Sequence, residues 1–99
     1  MQKLLNEREL ELEYIIETKN SAHIEKTSQR YETTAGQLAE FIIKRSLKRS
    51  VGTTKDKFDK HTVILNYFKN EFSQDTAEWR FVQNDINSLK IYSDKLSSF

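Results

Sequence analysis

The chain has no cysteine and no proline, and glycine appears twice, at Gly36 and Gly52. Without cysteine there is neither a disulfide framework nor a thiolate metal site, which agrees with a reducing compartment. With both helix breakers nearly missing, a compact β-protein is disfavoured, because such a fold spends several of them on its turns. No apolar run approaches the roughly 20 residues that a bilayer-spanning helix needs. The acidic, polar N-terminal stretch has no signal-peptide core. The expectation is a cytoplasmic protein with no membrane partner. Histidine is scarce as well: His23 and His61 lie far apart and lack metal-ligand spacing. Two isolated glycines cannot build a phosphate-cradling loop, and no Ser/His/Asp order stands out. The sequence therefore predicts no enzyme, no cofactor, no metal and no small-molecule substrate.

What is present is charge and aromatic bulk. Of 99 residues, 31% are charged and 36% hydrophobic, yet six Phe, four Tyr and Trp79 are too many for a disordered tail. A single domain with one modest core fits this length.

Residues 3–31 are rich in Glu, Leu, Lys and Arg, good helix formers. Leu5, Leu12, Ile15, Ile16 and Ala22 recur at helical spacing. Leu10, Leu12, Tyr14 and Ile16 also alternate with Glu9, Glu11, Glu13 and Glu17, which is a strand pattern. Helix is preferred, because the next stretch, Ile24 to Tyr31, supplies no strand partner of matching alternation. Thr34-Ala35-Gly36-Gln37 has the form of a capping box and predicts a break near residue 34. The competing reading is one uninterrupted helix to Ser50, since Ile24, Ser28, Tyr31, Ala35, Leu38 and Ile42 keep 3-4 spacing straight through.

The next helix is predicted over about 35–50, with Gly52 as its left-handed terminator and Lys48 and Arg49 in its last turn. Thr53 or Thr54 then caps a third helix carrying Phe58, His61, Leu65, Phe68 and Phe72 along one seam. Asp75-Thr76-Ala77-Glu78 starts the last helix, with Trp79, Val82, Ile86, Leu89 and Leu96 facing inward. The expected fold is all-α, a small four-helix bundle in one domain. An amphipathic N-terminal helix (1–33) precedes a helical core (34–99), anchored by Leu65, Phe68, Trp79, Val82, Ile86 and Leu89.

His61 falls on an apolar seam and reads as a half-buried structural histidine. The run Glu7, Glu9, Glu11, Glu13 and Glu17 reads as a solvated face, because acid–base work by paired carboxylates needs a pocket to split their pKa values. Charge is unevenly spread. Residues 1–43 hold five basic against eight acidic side chains, residues 44–60 seven against two, and residues 61–99 four against five. Near-neutrality hides one basic segment. On a helix over 35–50, Lys44, Arg45, Lys48 and Arg49 would cover one face about 140° wide, with Ile43 and Leu47 pointing to a core. Lys55, Lys57 and Lys60 continue the charge. Such a patch suits a phosphate backbone. A solvated helix end with dipole-favoured cations is the competing explanation.

Residues 37–96 carry a longer pattern: Gln37-Leu-Ala-Glu-Phe-Ile-Ile, then Leu47-Lys-Arg-Ser-Val-Gly52 and a Thr-rich turn. Ile64-Leu-Asn-Tyr-Phe68-Lys-Asn-Glu-Phe72 and Trp79-x-x-Val82-x-x-x-Ile86-x-x-Leu89-x-x-Tyr92-x-x-x-Leu96 follow. This order resembles the SAM-like core-binding domain of tyrosine recombinases, the integrases of phages and transposons. The resemblance covers about sixty residues, mostly core positions. It departs from the family where Val82-Gln-Asn-Asp85 replaces the usual Asp or Thr-Pro approach to the last helix. The family's catalytic domain, with its Arg/His/Tyr set, has no counterpart in these residues. The resemblance implies a three-helix SAM-like core that clamps double-stranded DNA without cutting it. By position, Lys44, Arg45, Lys48, Arg49, Lys55 and Lys57 would grip the backbone.

Two readings result. One is a non-catalytic DNA-binding module. The other is a protein–protein bundle acting as adaptor, chaperone or inhibitor, or self-associating, through its amphipathic first helix. The acidic first helix favours the second, and the basic segment with the 37–96 pattern favours the first.

Overall fold

A computed structural model describes residues 2–18 and 21–99. Four helices follow one another: α1 (Gln2–Glu17), α2 (Ser21–Lys44), α3 (Arg49–Lys69) and α4 (Ala77–Ser97). No strand occurs among the described residues. They form the expected small all-α four-helix bundle, 39 × 21 × 17 Å.

In α1 the inward positions are Leu5, Glu9, Leu12 and Ile16, a 4-3-4 spacing. Leu10 and Tyr14, which a strand would place beside Leu12 and Ile16, are 61% and 65% exposed. Burial follows the helical period even though a charged residue, Glu9, fills the second inward position.

The break expected near residue 34 is absent. α2 runs through it, and its buried seam is Ile24, Ser28, Tyr31, Ala35, Leu38 and Ile42. Thr34 lies inside the helix and its hydroxyl donates to the Arg30 carbonyl at 2.9 Å. A mid-helix hydroxyl satisfied one turn back has no need to cap. Gly36 serves close packing, since a Cβ there would lie 2.8 Å from Tyr92 Oη. α1 ends at Glu17 and α2 at Lys44, so no single helix runs to Ser50, which already belongs to α3.

The expected helix over 35–50 also stops early. Leu47 N donates to Ile42 O at 2.9 Å and Ser46 N to Ile43 O at 3.1 Å, with Ser46 left-handed at φ 54°. This is the Schellman arrangement, built on a serine where glycine is usual. Gly52 is therefore not the terminator. It sits inside α3 with open space where a Cβ would be. Thr53 and Thr54 do not cap α3 either: the helix starts at Arg49, and its N-cap Lys48 makes no side-chain cap. Thr54 is buried and its hydroxyl accepts from Gln2 Nε2 at 3.0 Å. α4 begins as the sequence suggests, shifted by one residue: Thr76, not Asp75, is the N-cap, and its hydroxyl accepts from Trp79 N.

Cross-links between helices give the topology. Ser28 meets Asp85 and Glu32 meets Ser88, a near-constant offset, so α2 and α4 run parallel. Gln2 meets Thr54 and Asn6 meets Lys57, so α1 and α3 also run parallel. Around the bundle the order is α1, α2, α4, α3, and residues 45–48 cross it diagonally. α1 and α3 are the most loosely packed neighbours.

The core holds Leu5, Leu12, Ile16, Tyr31, Leu38, Ile42, Phe58, Leu65, Phe68, Val82, Leu89 and Leu96. Four of the six expected anchors are buried in it: Leu65, Phe68, Val82 and Leu89. Ile86 packs half-buried at its edge. Trp79 is not a core residue. It lies half-buried at the start of α4, with the Lys69 ammonium 4.9 Å above its ring.

Candidate functional site at the basic end of the bundle

Because α2 ends at Lys44, the four central cations do not share a helix face. Lys44 closes α2, Arg45 lies in the turn, Lys48 caps α3 and Arg49 opens it. All four are exposed and form a corner instead of a stripe. Leu47, expected to anchor inward, is 37% exposed, whereas Ile43 does pack against the core. The other three expected residues separate from the corner. Lys55 is half-buried and donates to Ser97 Oγ, and Lys57 is half-buried and donates to Asn6 Oδ1 at 3.1 Å. Lys60 is exposed more than two turns further along α3. Two of the seven therefore hold helices together, and one sits elsewhere.

The corner belongs to a wider basic end. The α1 N-terminus brings exposed Lys3, and the last turn of α4 brings Lys95. None of Lys44, Arg45, Lys48 and Arg49 makes an ion pair among the described residues. Several cations rest on rings: the Arg45 guanidinium is 5.3 Å from the Phe41 centroid, and the Lys48 ammonium is 5.8 Å from that of Phe99. Between Ile43, Ile91, Lys95 and Phe99, with the acidic Asp94 on its wall, runs a shallow, largely apolar groove of about 540 Å³.

Helix dipoles explain half of this charge. Lys44 and Lys95 stand in the last turns of α2 and α4, where a cation is favoured. Lys48 and Arg49 stand at the start of α3, where a cation is disfavoured. That start has no side-chain cap and no acidic residue in its first turn. Lys48 N, Ser50 N and Val51 N donate to the Ser46, Leu47 and Lys48 carbonyls, so the turn itself satisfies most of these donors and the exposed cations are what favours an anion.

A second polar feature lies inside the bundle. Glu9 was expected on a solvated face but is 3% exposed, and its Oε2 has no hydrogen-bond partner. Burial, reinforced by Glu13 one turn on, pushes its pKa up to about 8. The inward seam position offers no alternative: turning Glu9 out would turn Leu5, Leu12 and Ile16 out with it. Asp85 is fully buried, and burial raises it to about 8, with the Ser28 hydroxyl opposing and Glu32 adding. Ser28 Oγ lies 2.6 Å from Asp85 Oδ2 and 3.1 Å from the Phe81 carbonyl oxygen. One hydroxyl carries one proton. Phe81 O and Asp85 Oδ2 therefore compete for it, and donation to Asp85 is the interaction that opposes the rise.

His61 is buried more deeply than its seam position suggested, at 5% exposure. Burial and nearby Lys57 lower its pKa to about 4, so the ring is neutral. Tyr31 Oη lies 2.7 Å from His61 Nδ1. The phenol, whose ionisation is opposed by burial and by Asp85 and Glu9, donates, which leaves the ring proton on Nε2. The groove at the basic end is not lined by Glu9, Tyr31, His61 or Asp85. His23 is exposed on α2.

Among the described residues no group of three or more metal-ligating side chains comes together, and no helix is long and apolar enough to cross a membrane. The sequence had no signal for Asp85 as a core residue beyond its place, three residues after Val82, on the inward face. Compared with known protein families, curated proteins and solved structures, the chain finds no match.

Proposed function

We propose that this chain is a non-catalytic DNA-binding module that contacts the duplex backbone through Lys44, Arg45, Lys48 and Arg49. One observation carries the reading: four exposed, unpaired cations surround the uncapped start of α3, two of them against the helix dipole. Helix stability does not account for Lys48 and Arg49, whereas a phosphate would pair with both. The resemblance of residues 37–96 to the core-binding domain of tyrosine recombinases supports the same reading. Under it, the second half of α2 with α3 and α4 correspond to that domain. Lys55 and Lys57, engaged with Ser97 and Asn6, contribute less than their charge alone suggests.

Fluorescence anisotropy on a labelled duplex tests this. Binding is expected at micromolar strength or weaker. Its log–log salt slope is expected near −3.6, from about −0.9 per phosphate and four contacts. Arg45→Glu with Arg49→Glu should remove binding while circular dichroism stays unchanged, because both side chains are exposed. Absence of salt-sensitive binding by the parent at low ionic strength sinks the DNA reading. A protein–protein module is then the function to pursue, favoured by the exposure of Leu10 and Tyr14 on α1.

A further inference from the structure

Among the described residues, the four most exposed large hydrophobic side chains lie on two neighbouring helices: Leu10 and Tyr14 on α1, Val63 and Tyr67 on α3, at 61%, 65%, 70% and 68% exposure. The hydrogen bonds Gln2–Thr54 and Asn6–Lys57 set α1 and α3 in parallel register. In that register Leu10 is level with residues 61–62 and Tyr14 with residues 65–66. The four side chains therefore span roughly 8 Å along the helices, at 1.5 Å per residue. Leu10 follows Asn6 by one turn, and Tyr67 follows half-buried Ile64 by three residues, so both lie on the shoulders that flank the α1–α3 seam. This is the loosest seam of the bundle.

The charge on this face is polarised along the helices. One side of the apolar patch carries Lys3, Lys57 and Lys60, with Glu7 and Asp56 among them. The other side carries Glu13, Glu17 and, past the end of α3, Glu71. Relative to the middle of the patch, Glu17 lies about four residues, or roughly 6 Å, one way and Lys60 the same distance the other way. A two-fold axis through the patch and across the helices therefore brings Glu17 of one copy level with Lys60 of the other. The face complements itself in shape of charge, as an isologous interface requires.

We propose that the α1–α3 face is the interface of an antiparallel homodimer, with Leu10, Tyr14, Val63 and Tyr67 at its centre and Glu17 opposite Lys60 at its rim. This goes beyond the DNA-binding reading and does not rest on it, since none of these residues belongs to the basic corner.

Sedimentation equilibrium on the full chain, from about 1 to 300 µM in low salt, reads it directly. The expected result is a concentration-dependent shift from the 11.7 kDa monomer to twice that mass. Tyr14→Glu and Tyr67→Glu should each weaken the dimer at least tenfold, with helicity and melting of the monomer unchanged. Glu17→Lys and Lys60→Glu should each weaken it several-fold, and combining them should restore it, because the swapped charges again face each other. A parent that stays monomeric at 300 µM overturns the proposal and leaves the face to a different protein. A dimer indifferent to Tyr14→Glu and Tyr67→Glu also overturns it, as does a double charge swap no better than the single variants.

Discussion

Gly36 and Gly52 have opposite reasons for being glycine, and the same substitution should separate them. At Gly52, in α3 with nothing within 4 Å of a built Cβ, alanine should stabilise by about 0.5–1 kcal/mol through helix propensity. At Gly36 the Cβ would press on the Tyr92 ring, 2.8 Å from Oη and 2.9 Å from Cζ. Overpacking costs about 1–3 kcal/mol and propensity returns about 1, so Gly36→Ala should lower stability by about 1 kcal/mol. In a domain this size that is roughly 4–8 °C in Tm. In a Tyr92→Ala background the same change should stabilise instead, and thermal melts of the four proteins form the cycle that checks it. The buried acids give a second expectation. Glu9 and Asp85 hold protons to about pH 8 when folded, against ordinary values of 4.5 and 3.8. The folded state therefore binds more protons than the unfolded one across that interval, and stability falls as pH rises through it. His61 acts the other way: lowered from 6.5 to about 4, it removes stability as pH drops through that window. Two acids outweigh one imidazole, so Tm should be several degrees higher at pH 5.5 than at pH 8.5. Glu9→Gln and Asp85→Asn should each flatten the slope, and equal melts at the two pH values would show that the acids are not buried.

Elements divide into those whose signal is repeated and those that hang on one residue. The seam Ile24–Ile42 of α2 and the seam Phe58–Phe68 of α3 repeat their period over several turns, so burial follows directly from spacing. Helix ends rest on single positions and were less legible. Thr34 and Gln37 have the residue types of a cap, but Tyr31, Ala35 and Leu38 need the helix to continue, and packing outweighs a cap worth about 1 kcal/mol. Ser46 was invisible as a terminator because serine rarely adopts a positive φ. The misplaced end of α2 propagated to the candidate site: Lys44, Arg45, Lys48 and Arg49 were legible as a basic cluster but not as a corner. Glu9 was hidden by four other glutamates in the same run. Ser46→Gly tests the terminator. Relieving a left-handed residue that costs about 1–2 kcal/mol should raise Tm by several degrees, and an unchanged melt would argue against the Schellman geometry.

At the scale of the molecule, the order α1, α2, α4, α3 has a kinetic meaning. The α1–α2 and α3–α4 pairs are antiparallel hairpins, made from residues near in sequence. The parallel pairs can form when one hairpin meets the other, and the links across that joint span more than fifty residues, as in Ser28–Asp85 and Glu32–Ser88. Closing the longer loop is entropically the dearer step. Folding should then proceed as two local hairpins that dock late, with α2 sliding onto α4 as the committed contact. The proton on Asp85, the hydroxyl of Ser28 and the ring of Tyr92 over Gly36 all lie at this joint. If docking comes after the rate-limiting barrier, changes there accelerate unfolding far more than they slow folding. The pH of the solution would in that case set how long a folded molecule persists, while leaving the speed at which it forms nearly untouched.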